Sequence, residues 1–66
     1  MDDKDLVNAV ALALDQSEEW VISTAANEVG IQFTYNEWFG GENLPWEVRN
    51  ELRDAHLLYY GMDAWR

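Results

Sequence analysis

The chain has no cysteine among its 66 residues, which removes disulfides, thiolate metal sites and thiol catalysis together. A reducing cytoplasm suits such a chain. Basic residues are scarce: four Lys and Arg stand against thirteen Asp and Glu, for a net charge of −9. Direct nucleic-acid binding rests on Lys and Arg neutralising phosphates, so that class is excluded, and anionic membranes with it. No stretch approaches the ~18 to 20 apolar residues of a membrane helix. The opening "MDDKDLV" is acidic where a secretory signal would be basic. The expectation is a soluble, cytoplasmic protein.

The signatures of catalysis are equally thin. His56 is the single histidine, and it falls beside the apolar stripe of its helix, where a structural role fits better than general-base work. Neither Ser17 nor Ser23 stands in a nucleophile elbow. Carboxylate pairs occur, but no second polar constellation sets one acid against one base. "DDKD" lacks the spacing of a calcium loop, and "FGGEN" lacks the lysine and length of a phosphate loop. The reading is a non-enzyme with no metal and no cofactor.

What is present is apolar and aromatic. A hydrophobic share of 48% marks a folded chain despite its acidity. Its length allows one domain, residues 1–66, burying roughly 60% of its unfolded surface. Without disulfides or a metal, stability must come from the aromatics, four of them tryptophan, or from self-association.

Helical spacing dominates. Asp2, Asp3 and Asp5 sit where a helix dipole favours anions, and Leu6, Val7, Val10, Ala13 and Leu14 share one face at about 100° per residue. This predicts a helix over about 3 to 15. Ser17 offers an N-cap before Glu18 and Glu19, and Gly30 a left-handed C-cap, around the stripe Val21, Ile22, Ala25, Ala26 and Val29. The second stripe lies about 80° from the first, which favours a break near Gln16 over one continuous bent helix. "IQFTY" alternates like a strand, but nothing else alternates to pair with it. "TYNE" is a Thr-x-x-Glu capping box. An extended connector followed by a short helix at about 35 to 39 is therefore preferred. "GGENLP" is the one strong loop signal, and Pro45 at a first helical position opens a last helix that Gly61 closes. The fold class is all-α: a small bundle of three main helices plus one short helix after an extended connector.

In the last helix, Val48, Leu52, Ala55 and Tyr59 form the core stripe, while Glu51 and Asp54 lie within about 40° of Glu47 as a carboxylate ridge. Trp46, Leu57 and Tyr60, with Arg53 among them, make a second apolar stripe. Three covers for it compete: the tail with Trp65, the aromatic connector, or another molecule, for which Trp, Tyr and Arg are favoured anchors. Trp20 falls on the polar side of its helix, either folded onto a neighbour or exposed as an acidic-rimmed contact. Around the double glycine, Trp38, Phe39 and Trp46 can converge. They form either a clasp on the last helix or an aromatic knob ringed by Glu37, Glu42 and Glu47.

Size, charge and aromatic content together resemble the small acidic phage-encoded inhibitors of host defence, the anti-CRISPR proteins and other DNA mimics. The residues behind the resemblance are Asp2, Asp3, Asp5, Glu18, Glu19, Glu37, Glu42, Glu47, Glu51 and Asp54, with Trp38 and Trp46. It is a likeness of composition with no shared motif. It implies an inhibitor that occupies the basic surface of a nucleic-acid-binding protein or effector complex. The expected contact residues are Glu37, Trp38, Glu42, Trp46, Glu47, Glu51 and Asp54, on a monomer or homodimer. The alternative is a structural or adaptor module, monomeric or homodimeric, with an aromatic helix–helix interface.

Overall fold

The computed structural model describes residues 1–38 and 44–61. Phe39, Glu42 and the double-glycine loop lie outside the described residues, as does the tail with Trp65. Four helices follow one another: α1 (Asp3–Leu14), α2 (Glu18–Val29), α3 (Tyr35–Trp38) and α4 (Trp46–Tyr60). The described residues contain no strand, and 31–34 run as an irregular connector. This is the expected all-α bundle, with α1, α2 and α4 packing on one another and α3 set against α2.

The caps explain the boundaries. The Asp2 carboxylate accepts from the Asp5 amide at 2.8 Å, and the Ser17 hydroxyl from the Trp20 amide at 3.0 Å. Each satisfies one of the amides left without partners at a helix start. The first break comes at Asp15, which adopts the left-handed conformation at φ 55°. An aspartate tolerates that region better than most residues. The Gln16 amide then reaches back to the Ala11 carbonyl at 3.0 Å, and the same six-to-one closure joins Ile31 to Ala26 past Gly30. At α3 the capping box closes both ways. The Thr34 amide donates to Glu37 Oε2 at 2.9 Å, and the Glu37 amide to the Thr34 hydroxyl at 3.3 Å. Pro45 is one position earlier than its spacing suggested: it is the N-cap of α4, with an extended ψ of 139°. Its carbonyl accepts from the Arg49 amide at 2.9 Å.

The core lies where the three long helices meet. Leu6, Val7, Val10 and Ala11 of α1 face Val21, Ile22, Ala25 and Ala26 of α2, with Val48 and Leu52 of α4. Trp38 of α3 and Leu44, just before α4, complete it. On α1 the buried face is rotated from the expected one: Ala11 is inside and Ala13 is exposed. The rotation brings Asp3, three residues before Leu6 and seven before Val10, onto the buried stripe.

Candidate functional site: the acidic groove between α2 and α4

Asp3 is only 4% exposed, so it does not belong with the surface carboxylates. Its two oxygens accept from Arg49 Nε and Nη2, each at 2.9 Å, and the Leu44 amide donates to Oδ2 at the same distance. Burial alone would raise the carboxyl pKa. The Arg49 hydrogen bonds, the Leu44 amide and the Arg49 charge outweigh it and hold the group below its ordinary 3.8. Arg49 is correspondingly pushed up, chiefly by its hydrogen bond to Asp3. The pair ties the start of α1 to the start of α4 and fixes the chain entering it.

The proposed contact residues separate once they are placed. Trp38 is 5% exposed and belongs to the core. Its ring meets Tyr35 edge-on at 6.0 Å. The indole is too large an apolar area to leave in water when a short helix can lay it on α2. Its Nε1–H is buried without a hydrogen bond among the described residues, at a cost of about 1–3 kcal/mol. Trp46, by contrast, is 65% exposed, so the two tryptophans do not form one aromatic knob. Glu37 is occupied locally as the capping-box acceptor. Glu42 lies outside the described residues.

Two of the remaining carboxylates do gather, though along a different line from the expected ridge. Glu51 and Asp54 of α4 stand with Glu28 of α2 around an open groove of about 420 Å³. Val10 and Leu14 of α1, Val21 and Ala25 of α2, and Leu52 and Ala55 of α4 form its lining, with Trp20, Leu58 and Tyr59 on its walls. Trp20 is thus a groove wall that remains 43% exposed. Glu47 is half-buried and does not line the groove. Tyr59, assigned by spacing to the core, is 51% exposed, and Leu58 is 76% exposed.

Sequence reasoning missed Glu28 and Leu58. Glu28 follows Trp20 and Thr24 at i, i+4 and i+8, which is one helix face. Leu58 lies within about 20° of the Glu47–Glu51–Asp54 ridge on the α4 wheel. Both signals were present, but neither said that the two faces would meet.

On the opposite side of α4, the second apolar stripe is partly accounted for. Tyr60 packs on the buried His56 ring, with centroids 4.6 Å apart, and its hydroxyl donates to the Ala9 carbonyl at 2.6 Å. His56 is therefore a core residue. Trp46 and Leu57 stay exposed. No group of His, Cys, Asp and Glu among the described residues is arranged to hold a metal ion, and no described helix is long and apolar enough to cross a membrane. Comparison with known proteins returns no family model, curated protein or solved structure that matches this chain.

Proposed function

We propose that this protein is a non-catalytic acidic binding protein that inhibits a nucleic-acid-binding protein or complex by occupying its basic surface, in the manner of an anti-CRISPR protein or DNA mimic. The observation that carries the reading is the convergence of Glu28, Glu51 and Asp54 from two helices on one open apolar groove, in a chain of net charge −9. Carboxylates so placed steer a positively charged partner and pair with its Arg and Lys, while the apolar walls add affinity that salt does not screen.

Literal mimicry of a duplex is not required. DNA carries a charge every ~1.7 Å of its axis, whereas carboxylates on a helix face recur every ~5 to 6 Å. A few acids engaging the Arg and Lys residues that read nucleic acid suffice. The test is capture of partners from host lysate at about 50 and 200 mM salt, followed by elution with DNA. Inhibitory binding weakens with salt and is displaced by DNA. Partners that DNA fails to displace remove the mechanism.

A second reading is favoured by one observation. Trp46 and Leu57, 65% and 51% exposed, stand on one side of α4, as exposed apolar anchors of the kind that a homodimer or adaptor covers. Such an interface tolerates salt and doubles the mass at micromolar concentration.

A further inference from the structure

The groove has a length, a lining and a sign, and together these select an occupant. Trp20 to Glu28 along α2 and Glu51 to Tyr59 along α4 each cover eight residue steps, about 12 Å at 1.5 Å per residue. Apolar side chains at i, i+3, i+4 and i+7 of a helix cover about 10.5 Å. An extended segment would need partners for its own backbone amides and carbonyls. The described residues contain no strand whose edge could supply them. A helix satisfies its backbone internally and needs only an apolar trough, and the floor of Val10, Leu14, Ala25 and Ala55 is one. The rim then sets the flanking residues. Glu28, Glu51 and Asp54 favour Lys and Arg on either side of the apolar face.

The same rim disfavours a second copy of this chain. A two-fold contact through the groove would set each rim against its own image, bringing like charges together between molecules already at −9 each. A small polar ligand is disfavoured as well, since the lining is dominated by aliphatic and aromatic side chains.

We propose that the α2–α4 groove receives one apolar face of a basic amphipathic helix on the partner, with Leu, Ile or Phe at i, i+3, i+4 and i+7 and Lys or Arg alongside. This rests on the partner being basic, as argued above, and names the element of it that is gripped.

The probe is a synthetic helix of about 18 residues with leucines on one face and lysines elsewhere. A peptide of the same composition, permuted so that the leucines no longer share a face, is the control. Calorimetry gives the affinities, and amide shifts of the labelled protein locate the contact. The amphipathic peptide binds at least about tenfold more tightly than its control, with shifts concentrated at Thr24, Ala25, Ala55 and Leu58. Leu58→Asn, at a position 76% exposed, weakens binding about tenfold with an unchanged thermal midpoint. The combined variant Glu28→Gln, Glu51→Gln, Asp54→Asn weakens it about tenfold at low salt and far less near 1 M.

Equal binding of the permuted peptide overturns the proposal. So do shifts centred on Trp46 and Leu57, and so does a dimer that Leu58→Asn dissolves, which would make a second copy the occupant. DNA-displaceable capture that survives Leu58→Asn removes the groove and leaves the inhibitor reading. Groove binding of the peptide, with captured partners that DNA cannot displace, removes the nucleic-acid-blocking role and leaves the groove.

Discussion

At the Asp3 clasp a carboxylate is buried and both its oxygens are engaged, by Arg49 and by the Leu44 amide. At the α2–α4 groove, the carboxylates of Glu28, Glu51 and Asp54 stand around a trough that is open to solvent. The side-chain chemistry is the same and the consequences are opposite. Where a partner is supplied within the chain, the charge serves the fold, and removing that partner leaves a buried ion. Where acids crowd together at a surface, they work weakly against the fold, and what they gain must come from outside. An acidic protein of this size need not treat its carboxylates alike. Composition, which counts Asp3 and Asp54 equally, hides the division.

The comparison breaks most visibly at Arg49. Arg49→Met keeps much of the aliphatic stem but strands the Asp3 carboxylate, and the expected loss is about 3 kcal/mol in a denaturant titration. That is a large share of the stability of a chain this short. A loss below about 1 kcal/mol would make the clasp an ordinary surface pair.

Asp3→Asn sharpens the same side of the comparison through pH. Because the folded pKa is held below 3.8, the contribution of the carboxylate is complete above that ordinary value. It is lost as pH falls through the folded value. The variant is therefore less stable than the native chain by about 2 kcal/mol near neutrality, and the gap narrows as the solution is acidified below 3.8. A gap of constant size at every pH would show that the side chain acts through shape alone.

Most of the fold was legible because its signals are local. The Ser17 cap, the Thr34–Glu37 box and the glycines at 30 and 61 each act within one turn, and each stands where its spacing put it. The rest depended on distant partners. Asp3 lies in register with Leu6 and Val10, yet its type reads as surface, and the arginine that makes its burial tolerable is 46 residues away. Asp15 ends α1 in a conformation usually left to glycine. Spacing alone does not distinguish such an aspartate from any other polar residue. By its spacing Trp38 reads as clasp or as knob, and the choice turns on whether α3 lies flat on α2. Half of the groove was legible as the Glu51–Asp54 ridge. Its other half, Trp20 and Glu28, needed the packing of α2 against α4, which no single helix encodes.

The smallest expected effect is the most discriminating, because it predicts opposite signs for stability and binding at one residue. Glu51 has Glu47 four residues before it and Asp54 three after it, both within reach on a helix surface. Each like-charge pair costs about 0.2–0.5 kcal/mol. Glu51→Gln removes both repulsions at nearly constant shape, so the protein gains about 0.5 kcal/mol at low salt. The gain fades near 1 M, where the screening length is about 3 Å. The same substitution weakens binding of the basic helical peptide. Asp3 can show no such pattern, since neutralising it costs stability under every condition in which it is ionised. Should Glu51→Gln instead destabilise by more than about 0.5 kcal/mol, outside the range of a usual surface change, that carboxylate would be supporting the fold as Asp3 does. The division between an acid that holds the chain together and acids held in readiness for a partner would then fail at the residue chosen to define it.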